Sequence, residues 1–401
     1  MPIRNTYLGC LLALMLAIAV PPCRAGNLRI DFRFFGDTVS LNLDDWNDAT
    51  PVTHLSNNAV KNYVQELECL PYQPIVEQLL ACKQKEGLDD WLYYQLVRKM
   101  AQQISCKKEN YNNYTLLKWF LLNKSGLDAR LAIRDTQLLF YVYSEDNIYD
   151  IPFYLDGQKQ YVCLNYHDFG IIDFAAKEPI PVPVLFPEGK NSFSYKVKKM
   201  PSFNEQDYTE KDISFDYRNK NYQFRVQVNS QVKTLFANYP VVDYEAYFNI
   251  PLSEGTRNSL IPELKEALKG MNVRKGVDYL MRFTRNAFAY ENDQENFGKE
   301  KRLSPEQTLI NTYSDCDDRA ALFFCLVKEI YNLPMIVLAY PEHVTIAVRF
   351  HNGPANIIYK NKAYTVCEPT PQAKDLSMGE ISDKLKQQPF EVAYAYEPDE
   401  Q

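Results

Sequence analysis

A cysteine in the last third of the chain has the setting that a catalytic nucleophile requires. Cys316 begins a run with apolar residues at helical spacing, from Ala320 to Ile330, so we expect its thiol at the N-terminus of a helix. Backbone N–H groups and the helix dipole favour a thiolate there, and a nearby imidazolium would lower the thiol pKa further. A thiolate of this kind attacks amide carbonyls at neutral pH and forms a thioester.

The general base must be one of four histidines, His54, His167, His343 and His351. His343 begins a segment of alternating residues, which predicts a strand with the imidazole on the face opposite to Val344. The other three stand in polar loops or in a turn, and we interpret them as structural or surface residues. His343 is therefore the predicted base.

A carboxylate that orients the imidazole is expected after the histidine, in the order thiol, base, carboxylate. Glu368 follows a predicted strand and fits that order, although a surface turn carboxylate is the alternative interpretation. The neighbouring Asp315, Asp317 and Asp318 oppose a thiolate electrostatically, which makes a cationic partner more necessary. A buried, unreactive thiol is the alternative for Cys316.

Five blocks within residues 285–372 resemble the successive blocks of the transglutaminase-like superfamily. The resemblance implies a papain-like core with a helix-borne cysteine, a histidine at the start of a strand and a carboxylate on the next strand, matched by Cys316, His343 and Glu368. That third residue is more often Asp in the family, and the Cys316 backbone N–H is the one oxyanion donor that the sequence identifies. The blocks are NAFAYENDQENFG, SPEQTL, DCDDRAALF, LPMIVLAYPEH and YTVCEPT.

The helices and strands that position these residues are predicted from the periodicity of apolar residues and from glycines and prolines that interrupt it. Residues 27–42 alternate like an edge strand, and residues 56–122 have helical spacing. Three strands follow up to residue 170, and four prolines within 178–189 favour an extended connector. A β-hairpin is predicted around Asn219-Lys220, and helices return from Ser253. The positions expected to be buried in the helical stretch are Leu79, Leu80, Trp91, Leu96 and Met100.

The upstream helix and strands repeat the apolar pattern of the catalytic segment at an offset of 206 residues, and an offset of 204 aligns Cys163 with Cys367. This suggests a tandem repeat in which the three chemical positions become Asn110, Gln137 and Leu164. None of these can act as thiolate, base or carboxylate, so the upstream copy is expected to be inactive. The alternative is a loose match between any two helix–strand–strand segments.

These patterns together predict an α+β fold with a papain-like, transglutaminase-like core, in tandem, and a small β-rich segment between the copies. The predicted organisation is a signal peptide at 1–25, an N-terminal α+β domain at 26–175 and a connector with the β-rich segment at 176–250. The catalytic domain follows at 251–385 and an acidic, mobile tail at 386–401.

The first 25 residues have the order of a secretory leader, with Arg4, an apolar run from Leu8 to Val20 and the small residue Ala25. The apolar run is too short to cross a bilayer, which needs about 20 residues. We therefore expect a periplasmic or extracellular protein without an integral membrane span.

Charge and cysteine content narrow the partners. Removal of the leader leaves 42 basic and 51 acidic residues, a net charge of −9, which disfavours binding to nucleic acid or anionic lipid.

Seven cysteines remain, so at least one lies outside any intramolecular pair. Cys69 with Cys82 is the most plausible disulfide by spacing, and unpaired buried thiols are the alternative. The spacing indicates no zinc site and no calcium loop, so no cofactor is expected.

The expected function is that of an exported cysteine enzyme, a thiol protease, amidase or transglutaminase that acts on a protein or peptide substrate. Cys316, His343 and Glu368 would form its triad. Hydrolysis is favoured over amine transfer because water is always present outside the cell. The alternative is a non-catalytic scaffold in which tandem transglutaminase-like domains bind peptide or glycan.

Overall fold

The computed structural model describes residues 27–44, 46, 49–170, 177–296 and 301–398. The predicted leader lies outside these residues. Helices and largely antiparallel sheets alternate along the chain, which confirms the α+β class. Within the described ranges, no helix combines the length and the apolar character that crossing a membrane would take.

The first part of the chain consists of a hairpin and four helices: β1 (Asn27–Phe34), β2 (Asp37–Asp44), α1 (Asn57–Cys69), α2 (Gln73–Glu86), α3 (Asp90–Ile104) and α4 (Tyr111–Lys124). Local signals set the helix ends. The side chains of Ser56, Asp89 and Asn110 cap the N-termini of α1, α3 and α4 by accepting backbone N–H groups. Gly87, with φ of 64°, ends α2 in the left-handed conformation.

The next strands build a five-stranded antiparallel sheet and a short ladder: β3 (Ala129–Arg134), β4 (Gln137–Ser144), β5 (Ile148–Tyr149), β6 (Phe153–Asp156), β7 (Lys159–Cys163) and β8 (Ile180–Pro181). The sheet order is β6-β7-β4-β3-β8, and β5 lies outside it. The proline-rich stretch thus supplies an edge strand, β8, where a missing N–H is tolerated.

The middle part begins with the predicted hairpin and continues with short elements: β9 (Tyr208–Tyr217), β10 (Lys220–Asn229), α5 (Gln231–Leu235), β11 (Val241–Val242) and α6 (Tyr244–Phe248). The two-residue turn lies at Arg218-Asn219, one residue earlier than predicted, because Tyr217 pairs with Lys220. Both turn residues have positive φ, as a type I′ turn requires. β11 pairs with β5 of the preceding part.

The last part contains the helices and strands around the predicted triad: α7 (Glu254–Ala267), α8 (Val273–Asn286), β12 (Ala289–Tyr290), α9 (Asp293–Asn296), α10 (Pro305–Ile310), β13 (Tyr313–Ser314), α11 (Cys316–Tyr331), β14 (Met335–Tyr340), β15 (His343–Val348), β16 (Ile357–Tyr359), β17 (Lys362–Cys367), α12 (Asp383–Lys386) and β18 (Glu391–Tyr396). Its five-stranded sheet has the order β16-β17-β15-β14-β18.

The two five-stranded sheets have the same connectivity. In each, a long helix precedes a central hairpin, β3–β4 after α4 and β14–β15 after α11. The second hairpin strand pairs with a strand that comes later in the chain, β7 or β17, and a final edge strand, β8 or β18, pairs with the first. One continuous apolar core extends from Phe32 to Cys367 and includes buried residues of both helices.

Two local predictions were wrong. Leu80 is 37% exposed because α2 presents its apolar stripe through Ile75, Val76 and Leu79 instead. The residues of the predicted mobile tail include β18, which pairs with β14 and packs Tyr394 and Tyr396 against Phe324 on α11. Burial of those aromatic rings outweighs the acidic composition of the segment.

Candidate active site

The helix that carries Cys316 begins at that residue. Asp315 is its N-cap, accepts the Asp318 backbone N–H at 3.2 Å, and forms a reciprocal capping box with the Asp318 side chain. The apolar face of α11 is fully buried through Ala320 and Phe323. The predicted helix start is therefore confirmed, and the thiol lies at the positive end of the helix dipole.

His343 and Glu368 meet across two neighbouring strands. His343 is the first residue of β15, opposite Tyr340, and Glu368 directly follows β17, which pairs with β15. His343 Nε2 lies 2.8 Å from Glu368 Oε2. Glu368 is only 2% exposed, so it is not a surface turn carboxylate.

A buried arginine holds the segment that carries Glu368. Arg285, at the end of α8, donates to the Glu368 carbonyl oxygen from both Nε, at 3.1 Å, and Nη2. It also donates to the Leu376 carbonyl oxygen at 2.8 Å and pairs with Asp375 at 2.6 Å. The Glu368 carboxylate itself accepts the Thr370 backbone N–H at 2.9 Å, which leaves Oε2 for the imidazole.

The thiol reaches the strand that carries the histidine. Helix α11 packs against β15, and the Val344 backbone N–H acts to lower the pKa of the Cys316 thiol. Val344 is the next residue after His343. Because Nε2 of His343 is engaged by Glu368, Nδ1 is the ring nitrogen left for a proton exchanged with the thiol.

The resting electrostatics oppose a thiolate. Burial raises the pKa of the Cys316 thiol well above its usual range, and Asp317 and Asp315 raise it further, while the Val344 N–H acts in the opposite direction. Cys316 Sγ lies 3.4 Å from Asp317 Oδ1. Asp317 is paired in turn with Arg302, with 3.1 Å between Oδ2 and Nε.

A second buried arginine connects α11 to the preceding segments. Arg319 is fully buried and donates to the carbonyl oxygens of Arg285 at 2.7 Å and Phe288 at 2.8 Å. Burial lowers the pKa of Arg319 to about 10. Its guanidinium lies 5.7 Å from the ring of Tyr290, a half-exposed residue whose own pKa is raised by burial and by the nearby Cys316.

Three carboxylates cluster behind the helix start. One oxygen each from Asp293, Asp315 and Asp318 lies within 4.8 Å of the others. The Asp318 carboxylate accepts the Leu303 N–H at 2.7 Å, the Tyr247 hydroxyl at 3.3 Å and the Asp315 N–H at 3.3 Å. Burial raises its pKa well above the usual range, with Asp315 and Asp293 adding to the effect. We therefore assign this cluster to the anchoring of α11.

The remaining histidines stay apart from this site. His54 and His351 are exposed, as expected for surface residues. His167 lies 3.3 Å from Asp168 in the upstream part, and burial lowers its pKa to about 4. Of the four histidines, His343 is the one that contacts the buried Glu368, and it is the histidine predicted as the base.

The upstream positions named in the sequence comparison hold a different polar network. Gln137 is the first residue of β4, as His343 is of β15, and Leu164 follows β7. Asn110, however, is the N-cap of α4, so Tyr111 is its first helical residue and occupies the position of Cys316 in α11. The Tyr111 hydroxyl accepts from Asn165 Nδ2 at 2.8 Å.

All seven cysteines that the structure describes are free thiols. The suggested Cys69–Cys82 disulfide is therefore wrong for this structure, since Cys69 ends α1 exposed while Cys82 packs against the core from α2. The thiols of Cys163, Cys325 and Cys367 are buried, and burial raises the pKa of each. Cys316 differs from them in its position at the start of a helix.

Comparison with protein-family models, with curated proteins and with solved structures found no match. The sequence identified Cys316, His343 and Glu368, whereas Arg285, Arg302 and Arg319 carried no signal in it. Their partners are largely backbone carbonyls of distant segments, which a linear pattern does not reveal.

Proposed function

We propose that the protein is a transglutaminase-like cysteine enzyme that cleaves or transfers acyl groups of peptide or amide substrates. The observation that carries the proposal is the 2.8 Å contact between His343 Nε2 and the buried carboxylate of Glu368. A buried carboxylate that orients an imidazole whose other nitrogen is free is the arrangement that a thiol nucleophile needs.

The proposed reaction has two halves. His343 accepts the thiol proton through Nδ1 as Cys316 Sγ forms a bond to the substrate carbonyl carbon. The carbon–nitrogen bond then breaks, and the imidazolium gives its proton to the leaving amine. In the second half His343 takes a proton from water or from an acceptor amine, which attacks the thioester and releases Cys316.

Two hydrogen-bond donors are suited to stabilise the negative charge on the substrate carbonyl oxygen. The Cys316 backbone N–H lies at the start of a helix, where its partner is not within the helix. Tyr290 is half exposed, and its pKa is raised by burial and by Cys316, which indicates that the two groups belong to the same site. We propose that the oxygen binds near these two donors.

We further propose that the core is papain-like and that the upstream part is a second, inactive copy. The shared order of the two five-stranded sheets supports this repeat, as does the long helix before each central hairpin. Tyr111 is the first residue of α4, as Cys316 is of α11, and Leu164 directly follows β7, as Glu368 follows β17. We also retain the proposal of an exported protein.

A second function is favoured by one observation. Asp317 contacts the thiol, and the pKa of Cys316 is raised by burial first and by Asp317 next, which is the state of an unreactive cysteine. On this alternative the protein is a scaffold that binds peptide or glycan. The two proposals differ in whether an acyl group is ever transferred to Cys316.

The test uses p-nitrophenyl acetate as an acyl donor and intact-mass spectrometry as the readout. We expect a burst of p-nitrophenol and one added acetyl group in the wild-type chain, both lost in Cys316→Ser. Cys69→Ser is the matched control because it removes an exposed thiol elsewhere. A wild-type chain without acetylation at Cys316 would favour the scaffold. Adding a fluorescent primary amine with dimethylcasein then separates transfer from hydrolysis.

A further inference from the structure

The carboxylate of Asp317 is placed between the thiol and a buried arginine. Its Oδ1 lies 3.4 Å from Cys316 Sγ, at a distance where the S–H donates to it. Its Oδ2 lies 3.1 Å from Arg302 Nε. Both oxygens are engaged, and the side chain is 12% exposed, so water does little to screen either contact.

Arg302 is itself fixed by the middle part of the chain. Its Nη1 donates to the Val242 carbonyl oxygen at 2.6 Å, and its guanidinium lies 4.2 Å from the Tyr244 ring. Val242 belongs to β11, which pairs with β5 of the upstream part through Ile148. A continuous series of contacts therefore leads from the upstream part to the thiol.

We infer that Asp317 and Arg302 form a control pair that sets how readily Cys316 gives up its proton. Asp317 stabilises the S–H form of the thiol because its carboxylate accepts the S–H hydrogen bond. Arg302 opposes this effect because it attracts the same carboxylate. This inference deepens the proposed function and rests on it, because the proton goes to His343. On this inference the upstream part, although inactive, contributes to the site, because its strand β5 pairs with β11, which holds Arg302.

The other groups around the thiol do not account for this control. Besides Asp317, the charged and titratable groups near Cys316 are Asp315 and Arg319 on α11 and Tyr290 on β12, and His343 directly precedes Val344, whose N–H acts on the sulfur. Asp315 is occupied by the helix cap, and Arg319 donates to backbone carbonyl oxygens. Asp317 is the carboxylate whose oxygen contacts the sulfur directly.

The experiment measures iodoacetamide alkylation of Cys316 against pH by peptide mass spectrometry. Asp317→Asn is expected to move the midpoint to lower pH and to speed alkylation by about tenfold at pH values below the wild-type midpoint, the equivalent of one pKa unit. Arg302→Gln is expected to slow alkylation by a similar factor, because the charge of the Asp317 carboxylate is then no longer offset by the guanidinium. In the double variant, Arg302→Gln should have no further effect, since Arg302 acts through Asp317.

Asp383→Asn is the matched control, because Asp383 is exposed and pairs only with a neighbouring lysine, Lys386. An Asp317→Asn midpoint equal to that of the wild type overturns the inference, as does an Arg302→Gln effect that persists in the double variant. If Asp317→Asn fails to fold, the direction of the Arg302→Gln effect alone decides. Failure of the proposed function is distinct: His343→Ala would then leave the wild-type profile unchanged.

Discussion

His343 Nε2 and Glu368 Oε2 lie 2.8 Å apart although the rest of β15, β16 and all of β17 lie between the two residues in the chain. The pairing of β15 with β17 brings them together, and Arg285 fixes the carbonyl of Glu368 behind the contact. The carboxylate is 2% exposed, so its charge is weakly screened and acts mainly on the imidazole.

Glu368→Gln is expected to lower the rate of Cys316 acetylation by about 10²–10⁴-fold, because the amide no longer stabilises the imidazolium and allows the wrong tautomer. The burst rate with p-nitrophenyl acetate measures this. Glu380→Gln, on an exposed loop, serves as the control. A Glu368→Gln burst within twofold of the wild type would show that the contact is structural only.

Arg285→Lys is expected to impair both stability and acetylation. Lysine keeps the charge but cannot donate to the carbonyl oxygens of Glu368 and Leu376 at once. Loss of these charged hydrogen bonds in a buried site costs about 2–4 kcal/mol. Thermal unfolding and the burst rate report the two effects. Equal burst rates in a folded Arg285→Lys variant would exclude a positioning role for Arg285.

Glu306, in the SPEQTL block, is fully buried and connects three segments. Its carboxylate accepts from the Ser253 N–H at 2.7 Å, the Thr256 hydroxyl at 2.8 Å and the Asn229 N–H at 3.2 Å. Glu306→Ala leaves these donors unsatisfied and is expected to cost about 3–5 kcal/mol of unfolding free energy. Urea unfolding checks this, with the exposed Glu254→Gln as control; a loss below about 1 kcal/mol would contradict the account.

Lys118 is a buried amine in the upstream part, 1% exposed and 4.3 Å from the Tyr114 ring. Burial lowers its pKa well below the usual value, and Arg98 and Lys107 add to this. Between that lowered pKa and about 10.4, the unfolded chain binds more protons than the folded chain. Stability therefore rises with pH across this window.

Lys118→Met is expected to stabilise the protein by about 1–3 kcal/mol at pH 7, because the variant no longer buries an amine whose charged form is disfavoured by burial. The gain should shrink as the pH approaches about 10, where the unfolded amine also loses its proton. Urea unfolding at both pH values tests this, with the exposed Lys108→Met as control. A gain that does not change with pH would show that Lys118 packing, not its charge, is responsible.

The sequence predicted the parts of the site that depend on local signals. The apolar spacing from Ala320 to Ile330 predicts α11, and alternation predicts the strand that begins at His343. The order of Cys316, His343 and Glu368 then sufficed to propose a triad. The hairpin of β9 and β10 was likewise predicted, with an error of one residue in its turn.

What the sequence did not predict depends on contacts between distant segments. Arg285 binds the carbonyl of Glu368, and Arg302 binds that of Val242, so neither partner has a side-chain signature. The segment around β18 is acidic, yet Tyr394 of this strand packs against Phe324, which lies far away in the chain. The short edge strand β8 contains a proline and pairs only two residues of β3, too few for a periodic pattern.

The most direct test of the account is the pH dependence of Cys316 alkylation by iodoacetamide, measured on the wild type and on His343→Ala, with Cys316→Ala as the blank. Peptide mapping separates Cys316 from the exposed Cys69. We predict alkylation of the wild type that persists well below pH 8 and is lost in His343→Ala, because the imidazolium formed when His343 takes the thiol proton outweighs the burial and the Asp317 charge that oppose the thiolate. Slow alkylation that rises only near pH 8.5 or above, equally in both proteins, would contradict it.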